Sequence, residues 1–268
     1  MEQDQPQQTG PKIYVAPNGA RLQKKDHSAL PITIEEIVAT AVSCHKAGAM
    51  GIHAHVRNDK GRHVLDAGLY RELLKELALE VPQMEVQITT EAVGRYSPAQ
   101  QRALVMAVKP KAVSVALCEM LSDNDEAAAR RFYFAAKEAG IDLQHIIYKP
   151  EEIIELKRLA AQGTIPDGEL SLLFVLGRYT SGQQSEPEML VPFVDTMKTA
   201  GLEQNTRFMV CAFGRGETAC LIAAARAGGD CRIGFENNLF NANGTMARDN
   251  AERVSELVQA LKSDLKTS

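Results

Sequence analysis

The segment GIHAHVRNDKGR, residues 51–62, places His53 and His55 one residue apart at the end of a short apolar run. Side chains alternate between the faces of an extended strand, so both imidazoles point the same way, and Arg57 continues the alternation. Two imidazoles on one face suit a transition metal. The plainer alternative is an ordinary polar strand end. A third donor stands near the C-terminus. In CRIGFENN, residues 231–238, alternation sets Arg232, Gly234 and Glu236 on one face. With that face turned toward the histidines, His53, His55 and Glu236 form a three-donor set that leaves positions open for water or substrate. Zinc suits the set best, while iron(II), manganese and cobalt share its donor preference. Glu236 has a simpler alternative too, a rim ion pair with Arg232 or Arg57.

The remaining chemistry-bearing residues offer less. His27, His45 and His63 fall in a loop, on a helix and in a turn, and read as solvated or satisfied; His145 lies mid-strand. The five cysteines, Cys44, Cys118, Cys211, Cys220 and Cys231, show no CxxC spacing. Each lies in an apolar segment, so buried free thiols in a reducing compartment are expected, none at a ligand position.

The elements that must position the donors repeat a single rhythm. Strands are expected at 13–16, 51–56, 84–90, 112–117, 143–148, 171–177, 207–213 and 231–235. Each is followed by a helical pattern, among them 33–48 closed by Gly48, SPAQQRALVMAV with Pro98 at its first position, and 185–201 with a distortion expected at Pro192. Eight strand–helix units within 268 residues fit a (β/α)8 TIM barrel. A doubly wound open sheet is the alternative, but IYVAPNGARL lacks the glycine-rich phosphate turn after the first strand. Residues 1–11, rich in Gln and Pro, read as a mobile tail, and 12–268 as one barrel domain. In such barrels the chemistry gathers at the C-terminal strand ends. The polar residues there are Asn18 and Arg21, the histidine pair, Thr89 to Glu91, Ser114 and Glu119, Tyr148 and Lys149, Arg178 and Tyr179, Arg215, and Arg232 with Glu236 and Asn237.

Composition excludes several classes. The net charge of −4, with no basic block longer than a pair, gives no case for nucleic acid or an anionic membrane. No signal peptide or stretch of 18 apolar residues is present, so a cytoplasmic protein is expected.

Several motifs together resemble the β-keto acid cleavage enzymes, typified by 3-keto-5-aminohexanoate cleavage enzyme. IHAHVR is similar to the family's IHLHVR at strand two, RIGFENN to its RVGLEDN at strand eight, and FVLG and FGRG to its sixth and seventh strands. LPITIEEIVATAVSCHKAGA resembles the helix before strand two. The resemblance implies a zinc-dependent (β/α)8 enzyme, a homotetramer, that condenses a β-keto acid with acetyl-CoA to give acetoacetate and a CoA thioester. It implies that His53, His55 and Glu236 hold zinc, that Arg232 is an active-site arginine, and that Thr89 contacts substrate, with Ser114 or Glu119 near a further contact. Arg178 and Arg215 are candidates for CoA.

Three segments depart from the family pattern. Gly19-Ala20-Arg21 replaces GAE, which points to an anionic or neutral substrate rather than a cationic one. Asn237 replaces an aspartate, and an amide cannot accept a proton at neutral pH. Thr89-Thr90-Glu91-Ala92 replaces STGG. Glu91 and Glu119 are thus the carboxylates available as a replacement base, Glu119 being preferred. The alternatives are a metal-dependent aldolase or lyase without CoA, and a metal-binding barrel without activity.

Overall fold

The computed structural model describes residues 10–264. The expected tail, residues 1–11, lies outside the described residues except for Gly10 and Pro11. Eight parallel strands close into a barrel in chain order: β1 (Ile13–Val15), β2 (Gly51–Ala54), β3 (Glu85–Thr89), β4 (Ala112–Ala116), β5 (Asp142–Ile147), β6 (Leu170–Leu176), β7 (Thr206–Ala212) and β8 (Asp230–Ile233). At the seam β1 pairs with both neighbours, Tyr14 standing opposite Gly51 of β2 and Arg232 of β8. The open-sheet alternative is therefore excluded.

Helices α1 (Ile34–Ala47), α2 (Ala67–Glu80), α3 (Pro98–Val108), α4 (Leu117–Met120), α5 (Glu126–Glu138), α6 (Glu151–Ala161), α7 (Val191–Thr199), α8 (Glu217–Arg226) and α9 (Asn250–Asp264) connect the strands. Local chemistry sets their ends. Thr33 and Glu36 form a capping box at the start of α1, and Gly48 closes it at φ 114°, a conformation that favours glycine. Ser97 and Gln100 repeat the box on α3, with Pro98 in the first turn. Before α7 the expected helix is split. Pro187–Leu190 forms a 3-10 turn, and Pro192 then falls in the first turn of α7, where its missing N–H breaks no bond. The last helix starts at Asn250 rather than near Thr245, because Asn241 and Thr245 close a turn there.

The strand expected at 112–117 also ends early: Leu117 opens the one-turn α4, burying Leu117 and Met120. That turn lifts Cys118 to the surface, which corrects the expectation of five buried thiols; the other four cysteines are buried.

Alternation along the strands builds two cores. Outward residues such as Val15, Ile52, Ile88, Val113, Leu172 and Val210 pack against the helices. Inward residues Tyr14, Ala116, Ile146, Leu173, Val175, Met209 and Cys211 fill the barrel. His145 takes an outward position, buried with its ring stacked on Tyr133 of α5 at 5.5 Å. Among the described residues no helix is long and apolar enough to cross a membrane.

Candidate metal centre and active site

His53 of β2, His55 just past that strand's end, and the turn after β8 meet at the C-terminal mouth. His53 Nε2 lies 3.2 Å from His55 Nε2, and Glu236 Oε2 lies 3.7 Å from the first and 3.6 Å from the second. Both histidines are 1% exposed, which places the cluster out of bulk water. Glu236 Oε2 is buried and has no hydrogen-bond partner among the described residues. A carboxylate oxygen so placed is costly unless a cation or proton meets it. Burial, and the positive charge of Arg232, hold His53 well below the ordinary imidazole range; burial and His63 do the same for His55. Neutral imidazoles are the ligand form. The donor set and the orphaned oxygen fit a small transition-metal cation.

The scaffold around the three donors is specific. Asn18 accepts from the His55 N–H at 3.3 Å and donates to the His55 carbonyl at 2.9 Å, fixing that peptide. Arg57 is not paired with Glu236. It donates instead to the carbonyls of Asn18, Gly19, Gly61 and Leu22, tying the first loop to the β2 turn. Gly19, at φ 55°, leaves room for the Glu236 side chain: a Cβ there would stand 2.6 Å from Glu236 Cγ. On the far side Glu217 Oε1 accepts from Gly234 N at 3.2 Å, and Asn250 Oδ1 from Phe235 N at 2.9 Å, so the turn that carries Glu236 is held from behind.

Beside the donors opens a cavity of about 280 Å³ lined by four arginines, Arg21, Arg178, Arg215 and Arg232, and two carboxylates, Glu91 and Glu236. With neutral histidines the lining is cationic and favours an anion. Arg232 is 4% exposed and donates to Glu236 Oε1 and Cys211 Sγ at 3.3 and 3.4 Å. Among the described residues its Nε and Nη1 have no partner, so two buried donors are free for a ligand's oxygens. Arg178 stands 3.7 Å from Glu91 Oε1, while Arg215 stacks over Phe240 at 5.1 Å. Arg21 is exposed at the mouth.

The structure brings most of the sequence's candidates to this cavity: His53, His55, Thr89, Arg21, Arg232, Glu236 and Asn237 all line it, as does Glu91. The Asn237 side-chain amide is buried and has no partner among the described residues. Ser114 lies deeper, wholly buried inside the barrel beside Thr89 in register, and is not among the lining residues. Glu119 lines a smaller neighbouring cavity, and its Oε2 accepts from Ala92 N at 3.0 Å and Gln101 Nε2 at 2.7 Å. His63, read as solvated or satisfied, is buried, with Nε2 3.1 Å from the Glu91 carbonyl. Sequence reasoning missed Gln87, whose Oε1 stands 2.8 Å from His53 Nδ1. The available signal was a polar side chain at an inward position of β3.

Fold and site together define a class: a closed (β/α)8 barrel whose rim joins a two-histidine, one-carboxylate donor set to an arginine-rich cavity. Residues 12–264 match the beta-keto acid cleavage enzyme family, and the chain belongs to that family of C–C bond-cleaving enzymes. It is 26% identical over 255 residues to a 3-keto-5-aminohexanoate cleavage enzyme of Fusobacterium nucleatum, covering 93% of this chain and 90% of that one. It is 26% identical over 250 residues to a 3-oxoadipate:acetyl-CoA acetyltransferase of Cupriavidus necator, covering 91% and 86%. Among solved structures, the binary complex of ObcA with oxaloacetate shares the fold at a TM-score of 0.69 and 15% identity. That match covers 88% of this chain but 64% of ObcA, so this chain spans under two thirds of that protein's length.

Proposed function

We propose that this chain is a zinc-dependent enzyme that takes acetyl-CoA and a β-keto acid bearing a second anionic group, and returns acetoacetate and a new CoA thioester. The carboxymethyl unit of the keto acid joins the acetyl group, and the remaining acyl group passes to CoA, so atoms balance. The observation that carries the reading is the convergence of His53, His55 and Glu236 around a buried carboxylate oxygen with no other partner. The names of the two relatives support the reaction class. When bound, the metal would supply Lewis-acid polarisation of the keto oxygen.

The chain's own residues perform the rest. The free Nε and Nη1 of Arg232 hold the substrate carboxylate through charge-assisted hydrogen bonds. A base must take a proton from the carbon between the two carbonyl groups. We assign that role to Glu91 in preference to Glu119. Glu91 lines the main cavity with Oε2 3.8 Å from His55 Nδ1. Its backbone is pinned on both sides, the N–H donating to Thr89 Oγ1 at 3.1 Å and the carbonyl meeting His63 Nε2 at 3.1 Å. Burial and the neighbouring Glu236 charge push its carboxyl up to about 7.

A base acts deprotonated, so wild-type kcat/KM is expected to rise with pH through about 7. Glu91→Gln should lower kcat by roughly 10²- to 10⁴-fold and flatten that rise. Turnover near wild type in this variant would sink the assignment. The overall reaction is tested by a panel of β-keto acids assayed with and without acetyl-CoA; turnover that needs no acetyl-CoA would replace it with a CoA-independent lyase.

Arg21 sets the second specificity element, an exposed cation at the mouth without a carboxylate partner among the described ion pairs. Arg21→Glu should lower kcat/KM for a keto dicarboxylate by roughly 10- to 100-fold, the scale of one charged hydrogen bond, and raise it for an amino-bearing keto acid. Equal losses on both substrates would show that Arg21 does not read substrate charge.

A further inference from the structure

The barrel interior below the donor set holds a continuous line of polar side chains. His53 Nδ1 lies 2.8 Å from Gln87 Oε1, Gln87 Nε2 donates to Gln144 Oε1 at 3.2 Å, and Gln144 Nε2 donates to Ser171 Oγ at 3.5 Å. Ser171 Oγ also accepts from Arg207 Nε at 3.3 Å. Arg207 is held in turn by Asp142 at 2.5 Å and Glu169 at 3.0 Å. Gln87, Gln144 and Ser171 are 3%, 5% and 4% exposed, so water does not compete along the line. Strand register supports it: His53 is paired with Gln87, Gln144 with Ser171, and Ser171 with Arg207.

The two amides run head to tail. With both NH₂ groups directed away from the mouth, an acceptor faces His53 Nδ1, and only a proton on Nδ1 completes the bond. We propose that Gln87, backed by Gln144 and anchored at Ser171 and Arg207, is a positioning residue that locks His53 as its Nδ1–H tautomer and turns the Nε2 lone pair toward Glu236. The other imidazole is held differently. Among the described residues His55 Nδ1 has no hydrogen-bond partner, and it faces the Glu91 carboxylate at 3.8 Å. One ligand is thus fixed by a neutral amide from inside the barrel, and the other faces the cavity's acid. A neutral acceptor orients the ring without adding a negative charge to the site.

The inference rests on the metal reading of His53, His55 and Glu236, and the test separates the two. Imidazole nitrogen NMR on the metal-free protein should show His53 as a single Nδ1–H tautomer. Gln87→Met should turn it into a mixture and weaken zinc binding, measured by chelator competition, by roughly 10- to 100-fold. Gln87→Glu, which keeps an acceptor, should retain both the tautomer and the affinity. Should Gln87→Met fail to fold, Gln144→Met provides the second test. It frees the Gln87 amide to turn, and the tautomer should again be mixed with a smaller loss of affinity. An unchanged tautomer and affinity in a folded Gln87→Met protein would overturn the proposal. Wild-type protein that shows the single tautomer but takes up no zinc would overturn the metal reading and leave the proposal standing.

Discussion

His53→Ala is expected to purify without stoichiometric metal and to lose on the order of a thousandfold or more in turnover, because several kcal/mol of charge stabilisation leave with the ion. The geometry makes the loss steep. Removing one imidazole leaves His55 Nε2 and Glu236 Oε2 3.6 Å apart as a bare pair, whereas catalytic zinc sites keep three protein ligands. Gly19 offers no side chain, and the Gly234–Asn237 turn is held in place by Glu217 and by its own backbone bonds. Metal analysis beside activity decides the matter, with chelator-treated wild type as the reference: it should lose activity to the same depth and regain it on adding zinc. Unchanged metal content in His53→Ala would sink the site assignment.

The largest effect on stability is expected from Arg253→Met. Arg253 of α9 and Glu217 of α8 are both 0% exposed and meet at 2.8 Å. Glu217 also receives Gly234 N, and Arg253 reaches Thr218 Oγ1 at 3.2 Å and pairs with Glu256. Taking away the guanidinium strands a carboxylate in the apolar shell, which costs about 3–5 kcal/mol. For a domain of this size that lowers the melting temperature by roughly 10 °C. Glu217→Leu combined with Arg253→Met removes the stranded charge and should recover much of the loss. Urea denaturation of the four proteins gives the coupling directly. A single variant within about 0.5 kcal/mol of wild type, the range of ordinary surface substitutions, would show that the pair is not a structural tie.

The barrel was legible because each of its elements carries its own signal. The helix α1 announces itself by its closing Gly48 and α3 by Pro98 in its first turn, and the strands by apolar runs between turns. The donor set was legible for a similar reason: alternation alone puts His53 and His55 on one face, and barrel closure brings the β8 turn alongside. What stayed hidden depends on how chain segments far apart meet. AVSVALCEM reads as strand to Leu117, and only packing shows that Leu117 turns into α4 and exposes Cys118. Glu91 and Glu119 look equivalent in the sequence. The structure sends the first into the main cavity and occupies the second with Ala92 and Gln101. The Glu217–Arg253 pair joins residues 36 positions apart on separate helices, and nothing local marks it.

The seam at β1 bears on when a metal could first be held. His53 and Glu236 are 183 residues apart in the chain, and they come together only after β8 has docked against β1. At ribosomal rates of about 5–20 residues per second, roughly ten to forty seconds separate the synthesis of the two. Through that interval the nascent polypeptide carries the two imidazoles without Glu236. The three-donor set is therefore complete only when the last strand docks. Captured at the end, it would reach from β2 to the β8 turn over the intervening β1, a rivet across the last joint to close, and mass action would then draw the finished barrel toward its closed form.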